Sequence, residues 1–308
     1  MSKPQPAKPD AATGCLYLVS TPIGNLEDIT LRAVRILREA DVIACEDTRQ
    51  TQKLLQHFEI RKRLVSYHEH NEITRGAELA IEMEQGAKVA LVSDAGTPVL
   101  SDPGYHLVAL CLRHRIPVIP IPGPSAALAA LSASGLPIEE FLFVGFLPQR
   151  AGERRKALTK LRAEPRAIVF YEAPHRIADM LRDAHEILGN RRAAVGREIT
   201  KLHEEFLRGR LGELAEAAAK RNLRGEITVV VGPTAASERD TGRAAGGEDA
   251  GDSATAPGAS TAGNVTLSER VAQLMVDEGL DHKAALKKAG RERGLAKREA
   301  YRQLLLER

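Results

Sequence analysis

The residues Asp94–His106, DAGTPVLSDPGYH, are dense in Gly, Pro, Asp and Ser and follow directly on the apolar run KVALVS (Lys88–Ser93). A structural turn needs about four such residues, and loops of this length in a compact α/β domain usually carry function. Asp94, at the carboxyl end of the run, can accept hydrogen bonds from ribose hydroxyls or from a ligand ammonium, and Gly96 lets backbone approach closely. A second loop, PIPGPSAALAAL (Pro120–Leu131), fixes a rigid turn with Pro122, Gly123 and Pro124. Ser125 then opens a helix of small residues, whose N-terminus a ligand can approach. A third, STPIGN (Ser20–Asn25), is a tight turn with a glycine between a strand and a helix. It is not G-x-G-x-x-G, and a plain βα turn explains it as well as a ligand loop does. Three loops leaving one sheet at its carboxyl ends converge on one cleft. That argues for a site without fixing its chemistry.

Two further groups invite a chemical reading. His68, Glu69 and His70 resemble a metal pair at alternate strand positions, but no third ligand is evident and no metal is expected; His70 reads as a polar contact to a substrate or as a satisfied surface histidine. The segment Arg150–Arg166 holds seven basic residues and two Glu. Such a block is either a solvated helix face or an electrostatic footprint for phosphates.

The elements that must position these groups are strands alternating with helices. CLYLVS, DVIACE, RLVSYH, KVALVS and IPVIPI are short runs rich in β-branched residues, and helical periodicity separates most of them, most clearly over Asn71–Gln85 with Asn71 as N-cap and Gly86 as stop. This predicts a largely parallel sheet covered on both faces. A second set follows at Phe141–Phe146, Arg166–Tyr171, Arg192–Ile199 and Glu226–Gly232, with helices near Gly152–Ala163, Pro174–Leu188 and Leu211–Lys220. The expected division is a disordered lead over 1–13, α/β domains over 14–137 and 138–233, a linker over 234–264 and a basic helical module over 265–308. The linker has almost no large apolar residue and cannot bury enough to fold. The module carries ten Lys/Arg against seven Asp/Glu and predicts three short helices.

An apolar fraction of 43% and a charged fraction of 28% place the chain among globular proteins. No apolar run approaches the roughly 20 residues that span a bilayer, and the N-terminus lacks a signal-peptide core, so a cytoplasmic protein is expected. Three widely spaced cysteines, Cys15, Cys45 and Cys111, fit buried thiols and not a disulfide framework.

In order along the chain, STPIGNLEDIT, CEDTRQTQKLL, LVSDAGTPVLSDPG, PIPGPSAALAAL, FLPQRAGERRKAL, VFYEAPHRI and REITKLHEEFLRG resemble the tetrapyrrole-methylase-type S-adenosylmethionine enzymes. Within that superfamily they are similar to the small-subunit 16S rRNA cytidine 2′-O-methyltransferases, from Cys15 to about Gly232. The resemblance implies two α/β domains with S-adenosylmethionine in the cleft between them, plus a small C-terminal helical module. It assigns Ile23 and Gly24, Asp94 and Thr97, and Ser125 and Ala126 to the cofactor. From the second domain it adds Tyr171 and Glu172, Glu198 and Ile199, and Glu226 and Ile227. Where the wider superfamily often has Met, this chain has Glu172. The implied partner is 16S rRNA within the 30S subunit, with a homodimer as a possible assembly.

Methyl transfer to a ribose hydroxyl asks mainly for alignment, which supplies on the order of 7–11 kcal/mol; a general base adds about 10²–10⁴ in rate. Candidates for the base are Asp47 and Glu46 in CEDTRQ, Glu198, and Lys201 if its pKa is lowered. Glu-Asp after a strand is also a common helix cap. Arg49, His70, Arg150, Arg154, Arg155 and Lys156 are the candidate RNA contacts, and Lys201 could instead position phosphates. Two rival functions keep parts of this picture: a precorrin-type tetrapyrrole C-methyltransferase, and a non-catalytic RNA-binding protein. The basic block and tail count against the first, and the intact ligand loops count against the second.

Overall fold

A computed structural model describes residues 14–221, 223–234, 266–293, 295, 299–300 and 303. The expected disordered lead and all of the expected linker except Thr234 lie outside these residues. Thr234 itself donates its backbone N–H to the Pro165 carbonyl.

The first half is a five-stranded parallel sheet. Its strands are β1 (Cys15–Val19), β2 (Val42–Cys45), β3 (Arg63–Ser66), β4 (Lys88–Val92) and β5 (Val118–Ile121), in the order β3-β2-β4-β1-β5. Every pair is parallel, as the crossover helices require. These are α1 (Leu31–Glu39), α2 (Thr48–His57), α3 (Glu72–Glu84) and α4 (Tyr105–Arg113). Alternate strand residues face opposite layers. Leu16, Val42, Val89 and Leu91 pack with Leu79, Met83 and Leu107 of α3 and α4, while Val19, Ile43, Ala90 and Val92 pack with Ile36, Leu37 and Leu55 of α1 and α2. The strands therefore read as unbroken apolar runs. Asn71 caps α3 by position only; its side chain instead accepts from the His68 amide and donates to the Ser66 carbonyl. β3 ends at Ser66, so His68 and His70 sit in a turn and not at alternate strand positions.

The second half is a mixed sheet in the order β6-β7-β10-β8-β9, built from β6 (Phe141–Phe146), β7 (Ala167–Glu172), β8 (Arg192–Arg197), β9 (Glu205–Arg210) and β10 (Ile227–Val231). β6 and β7 are parallel and the other pairs antiparallel. Helices α6 (Ala151–Lys160), α7 (Ile177–Leu188) and α8 (Leu211–Ala219) cover one face. The other face receives α5 (Ala126–Ser134), where Ala127, Ala130 and Leu131 pack on Val169, Val230 and Ile199. The small-residue helix after the Pro-Gly-Pro turn thus belongs to the first half in sequence and to the second in packing, and it joins the two.

β9 was not expected. The sequence gives no apolar alternation over Glu205–Arg210, and Arg192–Ile199 reads as one strand. Left-handed backbone at Glu198 (φ 51°) and Thr200 (φ 70°) ends β8 at Arg197 and turns the chain back into a hairpin.

The C-terminal residues form a separate compact unit. Helix α9 (Leu267–Asp277) starts in a capping box between Thr266 and Glu269, and α10 (His282–Glu292) is capped by Asp281. Leu267, Val271, Leu274, Ala285, Leu286 and Ala289 form its core. Most of the third expected helix lies outside the described residues.

Candidate active site

The three loops at the carboxyl end of the first sheet are tied to one another. Thr21 and Gly96 exchange backbone hydrogen bonds of 2.9 and 3.1 Å, and the Thr21 hydroxyl donates to the Ser93 carbonyl. Ser20 Oγ donates to Thr97 Oγ1 at 3.2 Å, and Thr97 Oγ1 donates to the Pro124 carbonyl at 3.3 Å. Gly123 lies against Ser20, where a Cβ would come within 2.9 Å of the Ser20 Cβ. Asp94 Oδ1 accepts the Asp47 amide at 3.1 Å, which adds the loop after β2. One backbone pair, Thr21 with Gly96, and several side-chain hydrogen bonds thus hold the loops of the rim together.

These loops form one wall of a cavity of about 390 Å³, within the range of about 300–1,000 Å³ typical of small-molecule sites. Ile23, Asp94, Thr97, Ser125 and Ala126 come from the first half. Tyr171, Glu172, Ile199, Glu226 and Ile227 face them from the second. Residues assigned by resemblance from opposite halves of the chain therefore meet at one cavity. Gly24 does not line it: a Cβ there would overlap the Lys201 side-chain methylenes, so this glycine makes room for a lysine. Sequence reasoning missed Leu100, Asp102, Phe146, Pro174 and Thr228, which also line the cavity. Asp102 was legible as an acid in the long loop, but nothing in sequence tells which of its residues turn inward. Tyr171 stacks edge-on with Phe143, ring centroids 5.2 Å apart. Burial pushes its phenol up, against hydrogen bonding at Ala127 and Ser125.

Four acidic residues line the cavity, Asp94, Asp102, Glu172 and Glu226, the Glu172 side chain being wholly buried, and no Lys, Arg or His lines it among the described residues. Glu172 is 2% exposed; it accepts the Ala173 amide at 2.7 Å and pairs with Arg176 at 3.1 Å. Arg176 also donates to the Leu147 carbonyl, so Glu172 acts through Arg176 to fix the loop after β6. Asp102 is pushed up to about 6, first by burial and then by the charge of Glu46, against a hydrogen bond from Ser93.

Of the expected base candidates, Glu46 is exposed, its carboxyl raised by partial desolvation and then by the charge of Asp94, while Asp47, Lys201 and Glu198 have other partners. Asp47 caps α2 by accepting the Arg49 amide and pairs with the Arg49 guanidinium, contacts that hold its carboxyl below the ordinary range. Lys201 pairs with Glu198 at 2.8 Å and Glu226 at 3.2 Å. Burial alone would lower the lysine, but the two carboxylates outweigh it and raise it. The condition for Lys201 as a base, a lowered pKa, is not met. Glu198 is lowered, chiefly by the Lys201 hydrogen bond. It also accepts the Glu226 amide at 2.9 Å, in space left by Gly225, where a Cβ would overlap its carboxyl. These groups brace the cavity rim as charged pairs.

The candidate RNA contacts divide. Arg154 is 6% exposed and donates to Asp183 at 2.7 Å in the α6–α7 interface, which removes it from any surface footprint. Arg155 bridges Asp183 and Glu186. Arg150 and Lys156 are exposed, as are Arg49 and His70. His70 lies 3.5 Å from Glu69. Among the described residues, no cluster of three or more His, Cys, Asp or Glu side chains could hold a metal ion, and no helix is long and apolar enough to cross a membrane.

Known proteins share both the sequence and the fold. Residues 15–215 match the family of tetrapyrrole (corrin/porphyrin) methylases. A protein of Halalkalibacterium halodurans named ribosomal RNA small subunit methyltransferase I is 55% identical over 71% of this chain and 75% of its own length. Its namesake in Bacillus subtilis is 43% identical over 94% of this chain and 93% of its own. The crystal structure of uroporphyrin-III C-methyl transferase from Thermus thermophilus, complexed with S-adenyl homocysteine, shares the fold, with a TM-score of 0.52 and 24% identity over 71% of this chain and 97% of that one. The chain belongs to the tetrapyrrole (corrin/porphyrin) methylase family, among the members named ribosomal RNA small subunit methyltransferase I.

Proposed function

We propose that the cavity binds S-adenosylmethionine and that the protein methylates the ribose 2′-hydroxyl of a cytidine in 16S rRNA of the 30S subunit. The observation that carries the cofactor reading is the cavity lining, acidic and apolar with no cation. Such a lining suits a ligand that brings positive charge and apolar surface together, as a sulfonium amino acid joined to a nucleoside does, and it opposes a polyanion. The cofactor supplies an already activated methyl group. Asp94 and Glu226 offer acceptors for ammonium and ribose hydroxyls, Ile23, Ile199 and Ile227 supply apolar walls, and Thr97 and Ser125 hold the loops that shape them.

The rRNA substrate is supported by the relatives' shared name and by the exposed cations Arg49, Arg150 and Lys156. Arg49 stands on α2, whose first turn contacts Asp94 through Asp47. The test is transfer of a labelled methyl group from S-adenosylmethionine to 30S subunits or to a precorrin-type tetrapyrrole. Label in 16S rRNA is expected. Label in the macrocycle alone would overturn the substrate reading, and no binding of S-adenosylhomocysteine by calorimetry would overturn the cofactor reading.

A further inference from the structure

Of the cavity acids, Asp94 and Asp102 are the two without a cationic partner among the described residues, and Asp94 has one oxygen held by a backbone amide whereas Asp102 has the Ser93 hydroxyl. Asp94 receives the Asp47 amide, Glu172 pairs with Arg176, and Glu226 reaches Lys201. Among the described residues Asp102 enters no ion pair, and the groups that face it are Ser93 and Asp94 after β4, Glu46 after β2 and Tyr171 at the end of β7. None of them is a cation.

Its placement is also enforced. Val99 (φ 76°) and Ser101 (φ 64°) are left-handed and Gly104 has φ 141°, so the loop around Asp102 holds conformations that unconstrained residues avoid. The second sheet helps to keep it there. β6 shifts register between Phe143 and Gly145, and at Gly145 a Cβ would stand 2.6 Å from Ser101 Oγ. Both halves of the protein therefore fix this carboxylate in the cavity wall.

Resting on the function proposed above, we infer that Asp102 is the base that accepts the proton of the RNA hydroxyl during methyl transfer. The hydroxyl oxygen forms its bond to the methyl carbon as the carbon–sulfur bond breaks with its electron pair going to sulfur. The hydroxyl proton passes to a carboxylate oxygen of Asp102, which returns it to water. Burial, with the charge of Glu46 behind it, makes this carboxylate more basic than an ordinary aspartate while leaving it ionised at neutral pH.

The test is Asp102→Asn, which keeps the shape and removes the base. Expected are a fall in kcat on 30S subunits of about 10²-fold or more, S-adenosylhomocysteine affinity within threefold of wild type, and loss of the acidic limb near pH 6 from the residual rate. In wild type, Glu46→Gln moves that limb to lower pH, because Asp102 loses a like charge. A readout independent of turnover is the carbon-13 titration of aspartate carboxyls in the ligand-free protein, where a resonance titrating near 6 disappears in Asp102→Asn. An Asp102→Asn enzyme with wild-type kcat and an unchanged acidic limb overturns the inference and leaves methylation standing. Loss of homocysteine-ligand binding in parallel with kcat makes Asp102 a binding residue and overturns it equally. A wild-type protein that binds the ligand but labels no RNA overturns the function and this inference together.

Discussion

Lys201 lies along Gly24, and the pairing of this small residue with that long one gives the cavity rim its electrostatic brace. Gly24→Ala should displace the lysine from Glu198 and Glu226 and weaken S-adenosylhomocysteine binding. If Lys201 is the whole cause, the double variant with Lys201→Ala binds no worse than Lys201→Ala alone, a coupling of about 0.5–3 kcal/mol. Additive losses in calorimetry would instead mean that the backbone at Gly24, with φ 156°, sets a cost of its own. The Asp102 carboxyl makes a stability prediction of its own. Its folded pKa, about 6, lies above the ordinary 3.8. The folded state therefore binds more protons across that window, and stability falls as pH rises through it. Asp102→Asn should melt above wild type at pH 7.5 and gain little at pH 4.5. An equal gain at both pH values would show that its ionisation is not the cause.

Helices α6 and α7 show how a basic sequence block divides once it folds. Arg154 and Asp183 are buried together, and Arg155 holds only the other oxygen of that carboxylate, so Arg154→Ala leaves Asp183 half-paired and should cost on the order of 2 kcal/mol. Arg150→Ala and Lys156→Ala should stay within about 0.5 kcal/mol in thermal melts. The latter two together should flatten the salt dependence of 30S binding by up to two phosphate contacts. An unchanged slope would leave them as a solvated helix face. Sequence could not separate these residues, because helical spacing within a run of cations leaves the inward one unmarked. It could expose the parallel sheet, since strands buried on both faces read as apolar runs ended by Gly, Pro and Asp. It did not reveal β9, whose edge position leaves Glu205–Arg210 polar, or the packing of α5, because small residues mark close approach without naming the neighbour. The same limit applies at the site. The loops were legible from their composition, whereas the choice of Asp102 over Asp47 depends on who pairs with whom.

On the scale of the whole molecule, a body with its own cavity is followed by a separate basic helical unit. If that unit grips rRNA, deleting everything after Pro233 should leave S-adenosylhomocysteine affinity near normal. KM for 30S subunits should rise more than kcat falls, because a tethered second contact raises local substrate concentration. Full activity of the truncated protein at limiting 30S concentration would refute that role. The central claim is ribose methylation of small-subunit rRNA, and nucleoside mass spectrometry tests it most directly. Unmodified 30S subunits are incubated with the protein and methyl-labelled S-adenosylmethionine, and their 16S rRNA is digested to nucleosides. The account predicts label in 2′-O-methylcytidine, present with wild type and sharply reduced with Asp102→Asn. Label confined to a base-methylated nucleoside, or no label in the RNA, would contradict it.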